Sequence, residues 1–262
     1  MVHYAVFEAE KRGDIHPGDT IVEASSGNTG VALAMIAAVK GYDAVIIVPD
    51  STSRIKIKMM EAYGAQIHYT SANDGVNAAV MKANMMSDEL NAFLLNQFKN
   101  QDNILAQVQT GKEILAQIEH VDVFVAGVGT GGTLIGISQA LKEANPKTKV
   151  FAIEPALAPA FYNMFYDENL PISDGIPHKI EGIGESFVPK ILENNRKFVD
   201  GVILVTDHDA FQTQKRLALE EGLFAGISSG ANIWAALRLA EDVDSSDNIV
   251  TVLPDTGQRY LE

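Results

Sequence analysis

Four clusters of small and hydroxyl-bearing residues punctuate the chain: "SSGNTG" (25–30), "GVGTGGT" (127–133), "GISSGA" (226–231) and "PDTG" (254–257). Three of them abut helix-like segments. A helix start aims unpaired N–H groups and the positive end of its dipole outward. Glycine lets the backbone approach a ligand closely, and Ser or Thr hydroxyls add donors. One such cluster alone is ordinarily a helix cap. Two strand-to-helix turns of this kind plus "GISSGA" point to an anionic ligand, with one anion site at 25–30 and another at 127–133.

A competing reading starts from Gly127, Gly129 and Gly132, which satisfy G-x-G-x-x-G. The next strand-like segment carries an acid, Glu154, where a dinucleotide domain holds a ribose. That pattern describes an NAD-dependent dehydrogenase. It leaves "SSGNTG" and "GISSGA" without a role, and it follows at least three earlier strand–helix units.

The elements that must position these turns alternate along the chain. Apolar, β-branched runs at 20–24, 44–49, 65–70, 92–96, 121–129, 149–155, 201–206 and 248–254 read as strands. Segments 29–40, 53–64, 75–90, 104–120, 132–144, 209–222 and 230–242 read as helices, and another opens the chain. Continuous rather than alternating apolar strands suit burial on both faces, so the expected fold is α/β with doubly wound, mainly parallel sheets. In such sheets the small-residue turns collect at the carboxyl edge, where ligands bind. Residues 156–200 break the alternation and read as a functional loop. A polar seam at 96–103 suggests lobes 1–101 and 102–262.

The 262 residues are 47% hydrophobic, enough for a full core. Lys and Arg total 20 against 34 Asp and Glu, a formal net charge of −14 that disfavours nucleic acid as a partner. No run reaches membrane-spanning length and no signal pattern opens the chain. Cysteine is absent, which excludes disulfides, thiolate nucleophiles and Cys-based metal sites; no metal site is expected, and the cytoplasm is the expected compartment.

Taken together and in order, "VEASSGNTGVALA", "AGVGTGGTLIGISQALK", "HKIEGIG", "GLFAGISSGAN" and "VLPDTGQRYL" resemble the cysteine synthase (O-acetylserine sulfhydrylase) family, which also includes cystathionine β-synthase. The resemblance implies a pyridoxal 5′-phosphate enzyme of fold type II, with two lobes and the active site between them. It implies that Ser25, Ser26 and Thr29 bind the amino-acid carboxylate together with Gln97, and that Asn28 meets the cofactor's phenolic oxygen. Gly129, Thr130, Gly131, Gly132 and Thr133 would hold the phosphate, and Ser228 the pyridine nitrogen. A neutral serine there does not keep the ring protonated, which favours loss of a β-substituent over racemisation or transamination. The implied reaction is β-replacement on O-acetylserine or a related amino acid through an aminoacrylate, with sulfide adding to form cysteine. A homodimer and docking of a serine acetyltransferase tail are further implications.

Three departures bear on these expectations. The family's Schiff-base lysine lies in a "K-D-R" segment that this alignment sets just ahead of Met1. The chain as written has no such segment, and two expectations follow: it is a truncated copy of an ordinary enzyme, or, taken literally, it binds the cofactor weakly, turns over little and is a silent amino-acid- or peptide-binding remnant. Lys99 and Lys179 read as surface charges. Glu185 follows "GIG" where the family carries a small residue; as a base it would make the chain a sulfide-releasing cysteine lyase, and otherwise it is a solvated acid or a selector of substrate. "EASSG" replaces the usual "TSG", but Ser25 keeps the hydroxyl.

Overall fold

A computed structural model describes residues 1–172 and 178–261. Residues 173–177, inside the 156–200 break, lie outside the described residues. The chain folds as two compact units, Met1–Asn103 and Ile104–Glu262.

The first unit opens with α1 (Val2–Arg12), followed by β1 (Thr20–Ala24), α2 (Asn28–Lys40), β2 (Asp43–Pro49), α3 (Arg54–Ala62), β3 (Gln66–Thr70), α4 (Gly75–Glu89) and β4 (Phe93–Leu94). Its strands form a parallel sheet in the order β3-β2-β1-β4. Period-two alternation sends side chains of one strand to opposite faces. Ile21, Ile46 and Val48 therefore pack with Val6 of α1, Leu33 and Ala34 of α2 and Met60 of α3. Val22, Ala24, Val45 and Ile47 pack on the other side with Ala79 and Ala83 of α4. Both faces are covered, which is why the strands read as unbroken apolar runs.

The boundary between the units falls within α5 (Gln101–Leu115). The second unit continues with β5 (Val123–Gly127), α6 (Gly132–Ala144), β6 (Lys149–Pro155), α7 (Ala160–Tyr166), α8 (Lys190–Asn195), β7 (Gly201–Val205), α9 (Asp207–Glu221), α10 (Ile227–Leu239) and β8 (Ile249–Thr251). Its sheet is parallel in the order β7-β6-β5-β8. Phe124, Ala126, Val150 and Ala152 face Leu134 and Ile137 of α6, while Val125 and Ile153 face Ala210 of α9 and Ala231 and Ala235 of α10.

The strand order carries the functional information. In each sheet the chain runs outward from an inner strand, β1 or β5, and a later strand is added on that strand's other side. This reversal is a topological switch point, and it opens a crevice at the carboxyl edge. It lies between β1 and β4 in the first unit and between β5 and β8 in the second.

Some boundaries differ from the sequence expectation. α5 begins at Gln101 rather than 104, and α10 begins at Ile227, so "ISSG" is the first turn of the helix and not a loop before it. β8 is three residues long although 248–254 is apolar, because its ladder with β5 stops at Thr251. Among the described residues the 156–200 break contains two short α-helices, α7 and α8, and a 3-10 turn at Arg196–Phe198.

Candidate active site

In the first unit, β1 ends at Ala24 and α2 begins at Asn28, so "SSGNTG" is the turn beside the β1/β4 crevice. Ser25 is 8% exposed, and its Oγ accepts the N–H groups of Gly30 at 2.9 Å and Gly27 at 3.3 Å. Its acceptor capacity is spent on shaping the turn; its proton remains to donate. Gly30 has no room for a side chain: a Cβ there would sit 2.9 Å from the Ser25 carbonyl oxygen and from Met60 Sδ. Ser26 is exposed and Thr29 half-buried, and neither hydroxyl has a partner among the described residues. Together with the first N–H groups of α2, they form an open donor set suited to a carboxylate. Asn28, the first residue of α2, is half-buried and engaged in a hydrogen bond or other polar contact.

Gln97 is 7% exposed at the same crevice, and its Nε2 donates to the Ala24 carbonyl at 2.8 Å. The same side chain also hydrogen-bonds to the Glu23 carboxyl, so the amide is held at the mouth of the crevice. Glu23, which the sequence reading passed over, is 2% exposed directly beneath this point. Its carboxylate oxygens accept N–H groups from Ala24 at 3.1 Å and Gln97 at 3.3 Å. Burial outweighs these bonds and pushes its pKa up to about 8. An acid next to a hydroxyl cluster at a strand end was the signal in the sequence.

In the second unit, "GVGTGGT" links β5 to α6 beside the β5/β8 crevice. Gly131 caps α6 with φ +85°, and a Cβ there would strike Leu192 at 2.5 Å. Thr130 Oγ1 accepts the Gly132 N–H at 3.3 Å, and the Thr133 hydroxyl has no partner among the described residues. Gly129 and Thr130 are half-buried. This is a glycine-lined nest at a helix N-terminus, the donor set a phosphate requires.

Ser228 lies in the first turn of α10, 4% exposed, with no hydrogen-bond partner for its hydroxyl among the described residues. Ser229 is fully buried, and its Oγ is likewise unpartnered. Asn232, one turn further on, donates from Nδ2 to the Val252 carbonyl at 2.7 Å and accepts the Gly127 N–H on Oδ1 at 2.8 Å. It closes the "GLFAGISSGAN" motif, where its residue type alone points to no role. "PDTG" fastens the start of this helix: the Gly226 N–H donates to the Asp255 carbonyl at 2.9 Å, and Tyr260 Oη donates to Asp255 Oδ2 at 2.8 Å. Burial and the Asp255 charge raise the Tyr260 phenol far above its ordinary range.

The loop carrying Glu185 is pinned to the glycine turn 127–133. The Gly184 N–H donates to the Val128 carbonyl at 2.9 Å, and His178 Nε2 lies 2.9 Å from the Gly184 carbonyl. Glu185 is half-buried and has no hydrogen-bond or ionic partner among the described residues. Burial alone lifts its pKa to about 7. Lys99 and Lys179 are both exposed.

The dinucleotide reading fails at Glu154. That side chain is 3% exposed, and its two oxygens accept the N–H groups of Phe161 at 2.9 Å and Tyr162 at 2.7 Å. It caps α7 from the interior and presents no exposed carboxylate to a ribose.

A glycine nest at α6, a neutral buried serine opening α10 and a hydroxyl-rich turn opening α2 define the class. Residues 1–255 match the family described as pyridoxal-phosphate dependent enzyme, and the chain belongs to it. Within that family it is of the cysteine synthase type. It is 41% identical to cysteine synthase of Staphylococcus aureus (strain Mu50 / ATCC 700699) over 97% of this chain and 79% of that protein. The crystal structure of O-ureido-L-serine synthase matches with a TM-score of 0.90 and 38% identity, over 99% of this chain and 80% of the other. A hydrogen sulfide-producing enzyme, crystallised as a D232N mutant with an alpha-aminoacrylate intermediate, matches with a TM-score of 0.90 and 33% identity, over 99% and 77%. The cofactor of the family is pyridoxal 5′-phosphate. Gly129–Thr133 and the Ser228 hydroxyl fit its phosphate and its ring nitrogen. The substrates are small molecules, and among the described residues no helix is long and apolar enough to cross a membrane.

Proposed function

We propose that this chain carries out β-replacement on O-acetylserine or a related β-substituted amino acid, with sulfide as the incoming nucleophile and cysteine as product. The observation that carries this reading is the pair of open hydroxyl sets: Ser26 and Thr29 at the start of α2, and Ser228 at the start of α10.

Each residue has a task its chemistry suits. Ser26 and Thr29 donate to the substrate carboxylate, with the Ser25 proton and the Gln97 amide. Asn28 meets the cofactor's phenolic oxygen. Gly129, Thr130, Gly131, Gly132 and Thr133 hold the phosphate. Bound pyridoxal phosphate supplies an electron sink for the substrate's Cα. Ser228 offers the ring nitrogen a neutral hydrogen bond and no counter-charge, which steers the chemistry toward loss of the β-substituent. In this reading residues 1–101 serve the substrate and 102–262 the cofactor, the protein is a cytoplasmic homodimer, and the carboxylate turn accepts the C-terminal tail of a serine acetyltransferase.

Glu185 supports a second reading, in which the incoming nucleophile is water and the net reaction releases sulfide from cysteine. A partnerless carboxyl with a pKa near 7 beside the phosphate turn is poised to take a proton from that water. The sulfide-producing structural relative agrees with this direction.

The test is to add pyridoxal phosphate to the protein, then O-acetyl-L-serine, then sulfide. A visible band that shifts with the amino acid, followed by cysteine in the mass spectrum, supports β-replacement. Sulfide evolved from cysteine, lost in Glu185→Ala while the band shift persists, supports the second reading. A featureless spectrum with all three additions overturns both.

A further inference from the structure

The β5–β8 ladder is short. It pairs Val123–Val125 with Ile249–Thr251, and its last link is Thr251 Oγ1 donating to the Val125 carbonyl at 2.6 Å. Beyond that point two strands that could continue pairing part instead, and the Asn232 amide lies between them, 1% exposed. Its oxygen takes the Gly127 N–H and its nitrogen gives to the Val252 carbonyl. Because one partner only donates and the other only accepts, the orientation of the amide is unambiguous.

We propose that Asn232 is a positioning residue that wedges the β5/β8 crevice open and sets the spacing between the Ser228 hydroxyl and the phosphate turn Gly129–Thr133. Asn232 stands four residues after Ser228, on the same face of α10. Gly127 stands two residues before Gly129. A single buried side chain therefore ties the helix holding the ring-nitrogen partner to the strand that leads into the phosphate nest. Removing it leaves two choices. The strands zip together and the crevice narrows, or the half-buried Gly127 N–H and Val252 carbonyl are left without partners. Aspartate is nearly isosteric but sets a second oxygen against the Val252 carbonyl.

The inference rests on the cofactor reading, and the experiment separates the two. The protein and its Asn232→Ala and Asn232→Asp variants are dialysed against pyridoxal 5′-phosphate and, separately, against inorganic phosphate. The nest N–H groups belong to Gly129–Gly131 of the turn and the first residues of α6, whereas the Asn232 amide bonds to Gly127 and Val252, so phosphate affinity is expected to stay within about twofold, while a ligand that must reach both anchors weakens at least about tenfold. Equal weakening of both ligands means a general loosening of the unit and overturns the proposal, as does undiminished pyridoxal phosphate binding. Asn232→Asp serves if the alanine variant does not fold. If the unsubstituted protein takes up neither ligand, the cofactor reading itself falls, and this inference with it.

Discussion

The Glu23 carboxylate accepts the backbone N–H of Gln97 at 3.3 Å, across 74 residues of sequence. It does so where the two-residue ladder between β1 and β4, Ile21–Val22 against Phe93–Leu94, has run out. Gln97 answers from the other side, with Nε2 on the Ala24 carbonyl. Buried polar side chains thus bridge the parting strands at the first switch point, as Asn232 does at the second. Both crevices are held by side chains that hydrogen-bond to main chain, a rigid means of keeping a ligand slot open.

Gln97→Ala removes the bridge to Ala24 and one proposed carboxylate donor. A buried carbonyl left without its donor costs about 1–3 kcal/mol. The variant is expected to melt several degrees lower, and its affinity for a carboxylate-bearing amino acid is expected to fall more than its affinity for an amine lacking that group. Calorimetric titration with both ligands checks the split.

Gly30→Ala puts a methyl 2.9 Å from the Ser25 carbonyl oxygen and 3.3 Å from Ile46 Cγ2. Met60 Sδ can swing aside, but the backbone carbonyl cannot. Overpacking of this kind costs about 1–3 kcal/mol. Displacement of the Ser25 turn is expected to abolish amino-acid binding even at temperatures where the variant is fully folded, as circular dichroism and titration on one sample will show.

Glu185 makes stability fall as pH rises. Its pKa is near 7 in the folded chain against an ordinary 4.5. Between those values the folded state holds a proton that the unfolded chain has lost, so the folded state loses ground until the pH passes about 7, after which the loss is constant. Glu185→Gln stays neutral throughout and is expected to be the more stable protein at pH 8, by on the order of 1 kcal/mol after allowance for partial solvent contact, and no more stable at pH 4. Urea midpoints of both proteins across that range give the answer. Glu23 and Glu154, raised to about 8 and about 7 by burial, act in the same sense.

Ser228→Asp places a carboxylate where the cofactor's ring nitrogen is proposed to sit and keeps that nitrogen protonated. The stronger electron sink favours reactions at Cα other than β-loss. Deuterium exchange at Cα of serine in D₂O is expected to rise relative to cysteine formation; an unchanged ratio argues against this role for Ser228.

Much of this was legible in one dimension. Apolar runs bounded by glycine and hydroxyl clusters revealed the strand–helix alternation, because strands buried on both faces must be apolar throughout. The turns at 25–30 and 127–133 were legible because a close-approaching anion demands glycine and hydroxyls in consecutive positions, a purely local requirement. Sequence also mispriced Glu154: an acid at the end of a strand looks the same whether it awaits a ribose or caps a helix six residues on.

What tertiary structure alone decided was non-local. Strand order, and with it the two switch points, depends on which edges pair, and nothing in a parallel strand's own residues names its neighbour. The pairing of Glu23 with Gln97 and of Asn232 with Gly127 and Val252 joins residues up to 105 positions apart. Burial turned an ordinary glutamate and asparagine into the braces of two crevices, because a polar group removed from water must find partners wherever the fold has put them.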